Sequence, residues 1–524
     1  MTRSRIRWKP GCGENNKRVE VNGMYLLGLD VGTTGTKAVV FDPEGNIKGY
    51  GFEEYDVICE KPGYAEQDPE KVWNLTKQVI RKAVMYSGVK EIAAMSLSVQ
   101  GDAVIPVDRN LKPLHNTLLG MDYRSSLQSR KCSELFGDRE LFRLTGMRPH
   151  PMNSLTKILW IRDNIPEVYQ ATYKFMTYAD FILSRLGAEP SIDYTMASRT
   201  MAFDLAEKKW SKTVLDKTAV DDNLLSRPVP PGETVGRINP ALAVELGLPN
   251  NVLLVSGGHD QTCAALGAGV VEESIAIDSH GTAEVLSTAF NKPVLNDGMF
   301  NGYYPCYCHA KNGMYFTFSL NHIGGILLKW YRDNLGYAEV REAEEKQEPV
   351  YRLMEEKAPE GPSSVLVLPH FNGSGTPWCD LDSKGAFVGL TMSTTRHDIV
   401  KGILDSLTYE LRMNMETMRS AGISIRELRS VGGAARSAKW LQIKADITGC
   451  SVSTLRVREA ACLGAALLAG TATGCYSDLN EAVKQTVVVH HKYEPDNKMA
   501  KLYEEKYSAY KDLYDTLKSI NKRL

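Results

Sequence analysis

Tyr25-Leu26-Leu27-Gly28-Leu29-Asp30-Val31-Gly32-Thr33-Thr34-Gly35-Thr36-Lys37-Ala38-Val39-Val40-Phe41 is the stretch whose reading decides the fold. Tyr25 to Asp30 is a short apolar run that enters a turn of Gly and Thr. Ala38 to Phe41 follows as a second run, and Asp42-Pro43-Glu44-Gly45-Asn46 has turn composition. Ile47 onward then predicts the third strand of a meander. A tight turn between two strands exposes backbone N–H groups, and glycine lets them approach an anion closely. The threonine hydroxyls of Thr33, Thr34 and Thr36 and the ammonium of Lys37 add donors. Asp30 is placed to hold a Mg²⁺ ion through water. A hairpin with a merely polar tip is the simpler alternative.

Working outward, Asp68-Pro69 reads as an N-cap followed by proline at the first helical position. Val72, Leu75, Val79, Ile80 and Ala83 keep helical spacing until Gly88, and Ile92 to Val99 is the next strand. Strands and helices alternate up to Ala268, which predicts an α/β domain. The opening pattern then recurs. Ser274 to Asp278 is a strand ending in Asp, Ser279-His280-Gly281-Thr282 is a polar turn, and Ala283 to Ser287 returns. Two such openings suggest a duplicated domain. The second half closes with a strand at Leu428 to Val431, Gly432-Gly433, and a helix from about Ser437. A small-residue helix follows over Glu459 to Ala469, and the Lys- and Glu-rich tail after Asn497 reads as a solvated helix. No low-complexity linker separates the halves, so they are expected to share a broad interface.

A chain of 524 residues exceeds one ordinary core, so two domains are the default. Hydrophobic residues at 43% and charged residues at 24% are ordinary for a globular protein. The net charge of −1 argues against electrostatic binding to nucleic acid or an acidic membrane. No apolar run reaches the roughly 18 residues of a transmembrane helix. The ten cysteines form no framework. Cys306 and Cys308 beside His309 lack a second matching pair for a metal site, and the thiols read as those of a cytoplasmic protein. Residues 1–23 are basic and polar, without the apolar core of a signal peptide, and read as a disordered extension.

Several polar clusters could carry chemistry. Ser256-Gly257-Gly258-His259-Asp260-Gln261 lies between an apolar run and a helix. Asp260 at that helix start is favoured as a carboxylate, and a carboxylate in a cleft can take a proton from a hydroxyl. A plain N-cap is the competing reading. Gly281-Thr282 is the matching turn of the second half, with His280 alongside. Gly432-Gly433-Ala434-Ala435-Arg436-Ser437, between strand and helix, is where a nucleotide can lie against backbone. Gln100-Gly101-Asp102 stands at the carboxyl end of a strand, a usual place for a ligand. Asp122 and Arg124 are a further polar pair, readable equally as a weak surface ion pair. A phosphate loop of the G-x-x-x-x-G-K-[ST] kind, a G-x-S-x-G elbow and H-E-x-x-H are all absent.

Taken together these residues resemble the FGGY carbohydrate kinases, over roughly Tyr25 to Gly474. Gly28 to Thr34 is similar to the first phosphate motif of that family. Gly63-Tyr64-Ala65-Glu66-Gln67-Asp68-Pro69 with Trp73 resembles the segment that follows it in xylulokinase-like members. Gly257 to Asp260 resembles the catalytic-Asp motif, and Gly281-Thr282 the second phosphate motif. Gly373-Ser374-Gly375-Thr376-Pro377, with Asp380 and Gly389-Leu390, looks like the second signature, and Gly432 to Ser437 like the adenosine motif.

The resemblance implies two ribonuclease-H-like, actin-like ATPase domains around a central cleft, ATP with Mg²⁺, and phosphorylation of a primary hydroxyl. Residues 24–270 would bind the sugar, residues 271–480 the nucleotide, and residues 481–524 would form a helical tail. Asp260 would be the general base and, with Asp30, a metal ligand. Thr33, Thr34 and Lys37 would face the terminal phosphates, and Gly281, Thr282, Gly325, Gly432, Gly433 and Ser437 would line the nucleotide. Gln100, Gly101, Asp102, Asp260 and Gln261 would surround the acceptor. The family departures bear on that acceptor. Glycerol kinases carry Arg-Glu where this chain has Gly101-Asp102, and xylulokinases usually carry Met-His near there. Gln100-Gly101-Asp102 is closer to kinases of L-xylulose and erythritol, and Gly258-His259-Asp260 is shared with fuculokinase-like members. A ketopentose is the expected acceptor, with erythritol, fuculose and gluconate as alternatives. A homodimer is compatible with this reading. The rivals from other classes are a non-kinase actin-like ATPase and a sugar-sensing pseudokinase.

Overall fold

The structure is a computed structural model that describes residues 24–456 and 459–524. The extension expected over residues 1–23 lies outside the described residues. Two mixed sheets repeat one plan. In the first, Ile47–Glu54, Gly35–Phe41 and Tyr25–Val31 pair antiparallel as a meander. Ile92–Val99 and Leu253–Val255 then add in parallel, and Thr234–Arg237 closes the far edge antiparallel. In the second, Tyr315–Asn321, Glu284–Phe290 and Ile275–His280 form the meander. Glu427–Gly432 and Ser451–Leu455 add in parallel, and Val489–Tyr493 closes antiparallel. The duplication suggested by two short turns is therefore a duplication of a whole six-strand order. It is the doubled ribonuclease-H-like plan that the resemblance implies. Two short strands are extra: Gly258–His259 beside Ile92–Val99, and Tyr307–Cys308 beside Tyr315–Asn321.

The first long helix forms as its local sequence dictates. Asp68 accepts from the N–H groups of Glu70 and Lys71, proline follows it, and Gly88 ends the helix at a left-handed φ of 64°. Its buried face carries Val72, Trp73, Thr76, Val79, Ile80 and Ala83. The parallel strand Ile92–Val99 is covered on both faces, which is why it reads as a nearly continuous apolar run.

Two short helices tie the halves together. Asp260–Gly267 leaves the first sheet. Ala460–Ala472, late in the sequence, returns to it and packs Cys462, Leu463 and Ala466 against Leu26, Val39 and Phe41. The contact is backbone on backbone. A Cβ at Gly28 would stand 1.9 Å from the Cys462 carbonyl oxygen, and one at Gly464 would stand 1.9 Å from that of Cys263. The small-residue composition of this helix is thus a requirement of close approach.

The tail corrects the sequence reading. Asn497–Lys511 and Leu513–Asn521 are helices, but the first is not a freely solvated one. Tyr503, Tyr507, Tyr510 and Tyr514 recur at helical spacing and are buried. They pack with Tyr409, Leu404 and Trp440 in the core of the second half. The lysines and glutamates occupy the remaining faces and masked this stripe. The tail also reaches the second signature segment, where Tyr514 Oη donates to Asp380 Oδ2 at 2.8 Å and the Tyr514 ring stacks on Trp378. Among the described residues, no helix is long and apolar enough to cross a membrane.

Candidate active site

The first turn is held from below by side chains far away in sequence. Gly32 N–H donates to Gly35 O at 2.9 Å, and Tyr55 Oη lies 2.7 Å from Gly32 O and 3.0 Å from Gly35 O. Gln100 Nε2 donates to Gly32 O at 3.2 Å and to Gln67 Oε1 at 2.9 Å, and Gln100 Oε1 accepts from Thr33 Oγ1 at 3.1 Å. Gln67 Nε2 donates to Thr33 O. The Gln100 amide, expected beside the acceptor, is buried and bonded to this turn. Thr34 is exposed at the tip. Lys37 does not stand free: its Nζ lies 3.1 Å from Glu459 Oε2, at the start of the returning helix.

Asp30 and Asp260 come together in the first half. Asp30 Oδ1 accepts from Ser98 Oγ at 2.9 Å, and burial raises its pKa against that bond. Asp260 begins its helix, and its Oδ1 accepts from the Gln261 N–H at 2.6 Å. His259 Nε2 lies 3.1 Å from the same oxygen. Among the described residues, no donor reaches Asp260 Oδ2. Burial, followed by the charge of Asp30, pushes the Asp260 carboxyl up to about 7. The two carboxylates oppose one another's ionisation, and oxygen donors in that relation suit a hard divalent cation. Burial, with Arg199 nearby, lowers the pKa of His259 well below the usual value, so the ring is neutral. The Gln261 side chain makes no hydrogen bond among the described residues and is half-buried in the first turn of the helix.

Gly101 and Asp102 lie near His259 and Asp260. Asp102 has a left-handed φ of 64° and is buried, with Oδ2 accepting from Arg199 Nη2. The Tyr194–Arg199 helix that supplies Arg199 was not singled out by the sequence reading, since a lone arginine at a helix end has a sufficient local role. Gly101 makes this convergence possible. A Cβ there would stand 2.8 Å from His259 Nε2 and 2.9 Å from Arg199 Nε. Gly101→Ala is therefore expected to displace both groups and lower kcat/KM for the acceptor by roughly tenfold or more, as overpacking does. Unchanged steady-state kinetics would show that the pocket absorbs the methyl group without moving the site.

The pair left open as a surface contact, Asp122 and Arg124, is an interior one. Arg124 Nε lies 2.9 Å from both Asp122 carboxylate oxygens, Glu66 Oε1 lies 2.7 Å from Arg124 Nη2, and the guanidinium lies over the ring of Tyr64.

The second half holds a cavity of about 1040 Å³ lined by Gly281, Thr282, Gly325, Gly433 and Ser437. Its turns are stitched together by backbone: Gly325 N–H donates to Gly281 O and Gly433 N–H to His280 O, each at 2.9 Å. Gly432 has a φ of 86°, and a Cβ on it would meet His280 O at 2.4 Å, so this turn demands glycine. Ser437 caps the Ala438–Thr448 helix, its Oγ accepting from the Trp440 N–H at 3.1 Å. Tyr351, Arg352 and Glu355 complete the wall and carry no local sequence signal. Beneath the floor, Asp278, His280 and Glu284 converge in a way that could hold a metal ion. The position is already taken by an ammonium: Lys444 Nζ pairs with Asp278 and lies 2.8 Å from Glu284 Oε1 and 3.2 Å from His280 Nδ1.

The site thus sets a partly exposed carboxylate and a glycine–threonine turn in one half against a glycine-lined cavity in the other. Known proteins are similar to this chain over nearly its whole length. A xylulose kinase of Staphylococcus epidermidis is 29% identical over 94% of this chain and 97% of its own length. A gluconokinase of Bacillus subtilis is 28% identical over 91% of this chain and 93% of its own length. The structure of a ligand-bound xylulose kinase from Lactobacillus acidophilus superposes with a TM-score of 0.85 at 24% identity, covering 94% of this chain and 98% of that one. The N-terminal-domain model of the FGGY family of carbohydrate kinases matches residues 25–267, and its C-terminal-domain model matches residues 277–473. The chain belongs to the FGGY family of carbohydrate kinases, enzymes that use ATP to phosphorylate a sugar or polyol hydroxyl.

Proposed function

We propose that this kinase acts on a ketopentose resembling xylulose, with Asp260 as the general base. The observation that carries the reading is the state of the Asp260 carboxylate. Its Oδ1 is anchored by the Gln261 N–H, no donor reaches its Oδ2 among the described residues, and the side chain is 34% exposed. An anchored carboxylate with one free oxygen can accept the proton of an acceptor hydroxyl as that hydroxyl attacks a phosphoryl group. Thr33 and Thr34 and the backbone of their turn would meet the terminal phosphates. Gly281, Thr282, Gly325, Gly432, Gly433 and Ser437 would bind the rest of the nucleotide. Lys37 would have to exchange Glu459 for phosphate as the halves close. Asp30 and Asp260 would hold Mg²⁺, which neutralises phosphate charge when bound. Residues 24–270 would carry the acceptor and residues 271–480 the adenosine. Phosphoryl transfer depends on positioning and charge stabilisation, so exclusion of water between the halves matters as much as the base.

The ketopentose assignment is supported by relatives named xylulose kinases and by the charge balance near the base, where Arg199 is neutralised by Asp102. The test is ADP release with D- and L-xylulose, ribulose, fuculose, erythritol, gluconate and glycerol. The highest kcat/KM is expected on a ketopentose. Gluconate or glycerol as the best acceptor would overturn the assignment, and sugar-independent ADP release would overturn the role of the acceptor pocket.

A further inference from the structure

Asp102 and Arg199 form a buried ion pair whose hydrogen-bonding capacity is incompletely used. Side-chain exposure is 3% for Asp102 and 4% for Arg199. Asp102 Oδ1 and Arg199 Nε and Nη1 have no hydrogen-bond partner among the described residues. Buried polar atoms are normally satisfied, and a left-handed aspartate is costly, so both features point to a ligand-facing role. The surrounding charges also balance. Lys157 is buried, its Nζ lies 3.1 Å from the carbonyl oxygen of Pro151, and the charges of Asp102 and Asp122 act on it. Arg124 is offset by Asp122 and Glu66. The three cations Arg199, Lys157 and Arg124 are thus matched in number by the carboxylates Asp102, Asp122 and Glu66, and Arg199 is paired directly with Asp102.

We propose that Asp102 acts as a charge filter: by neutralising Arg199 it restricts the acceptor to neutral sugars and polyols and excludes sugar acids. The inference rests on the proposed placement of the acceptor beside Asp260. A carboxylated sugar entering here would meet Asp102 and Asp260, with the charge of Arg199 already taken up by Asp102. Discrimination of this kind comes from a repulsive group as much as from an attractive one. Removing the Asp102 charge while keeping its shape would leave the Arg199 guanidinium, with its two unpartnered nitrogens, as a carboxylate receptor.

The test compares wild type, Asp102→Asn, Arg199→Gln and the double variant, using a neutral ketose and the matching aldonate. The readout is the ratio of their kcat/KM values, or of their Ki values as competitive inhibitors where turnover is slow. Calorimetric ADP binding and circular dichroism check that each protein is folded. Asp102→Asn is expected to shift the ratio toward the aldonate at least tenfold, about what an unscreened charge a few ångströms away supplies. Arg199→Gln should shift it the other way. The double variant should return near the wild-type ratio, which loss of structure alone would not produce. If Asp102→Asn does not accumulate, the opposite displacement of Arg199→Gln and its reversal in the double variant decide the matter. Equal ratios in folded variants of a wild type that prefers ketoses would overturn the filter and leave the acceptor assignment standing. A wild type that already prefers the aldonate would overturn the assignment itself.

Discussion

Asp260→Asn is expected to lower kcat by roughly 10²- to 10⁴-fold, the range over which a positioned general base contributes. Asparagine keeps the shape at the helix start and an oxygen to receive the Gln261 N–H, so acceptor and nucleotide affinities should change by only a few-fold. What is lost is the second oxygen as a proton acceptor. The pH dependence sharpens the test. With its carboxyl raised to about 7 by burial and by Asp30, Asp260 is protonated, and inactive as a base, on the acid side. A divalent cation shared with Asp30 would pull that value down. The acid limb of kcat/KM should therefore lie at or below pH 7 and move lower as Mg²⁺ is raised. The Asp260→Asn variant should lack the limb. A variant that turns over at the wild-type rate, with the same pH profile, would remove Asp260 from the chemistry.

Deleting residues 497–524 is expected to abolish stable folding of the second half. The argument is one of buried area and unpaired charge. Tyr503, Tyr507, Tyr510 and Tyr514 lie in the same core as Tyr409, and each buried aromatic side chain contributes about 1.5–3 kcal/mol. Their hydroxyls are engaged as well. Tyr503 Oη accepts from Lys401 Nζ at 2.9 Å, Tyr507 Oη donates to Glu416 Oε2 at 2.8 Å, and Tyr510 Oη donates to Glu410 Oε2 at 2.5 Å. Deletion would expose the aromatic cluster and leave the buried Glu410 short of a partner. The sum approaches the whole stability of an ordinary domain, about 5–15 kcal/mol. The truncated chain should be insoluble, or should melt more than ~10 °C below the full chain, since 1 kcal/mol moves a large domain by about 2–4 °C. Charge changes at the exposed Glu505 or Lys501 should be nearly neutral by comparison. A truncated enzyme with unchanged melting and ADP binding would refute the packing role.

The two halves differ in how legible they were. The opening strands, the Asp68 cap, the Gly88 stop and the Asp260 helix start were readable because each is local. A turn glycine or a capping carboxylate acts within a few residues, and its signal survives in the linear sequence. The tail was misread because charged residues dominate its composition, while the tyrosine stripe acquires meaning only opposite Tyr409. Gln100 is legible only as a polar residue at a strand end. Its strand-end position is visible in one dimension, whereas its bonds to Gly32, Thr33 and Gln67 are not.

The sequence by itself determined the duplicated α/β plan, the family, and the glycine–threonine turns that suit phosphate. These follow from periodicity and from backbone geometries that few residue types permit. Only the tertiary structure decided that Arg199 meets Asp102 across a gap left by Gly101, that Lys37 is paired with Glu459, and that Lys444 fills the space among Asp278, His280 and Glu284. The physical reason is distance. An ion pair between residues 97, 422 or 166 positions apart leaves no periodicity to read, because its energy depends on separation in space and on burial, which the chain acquires only on folding.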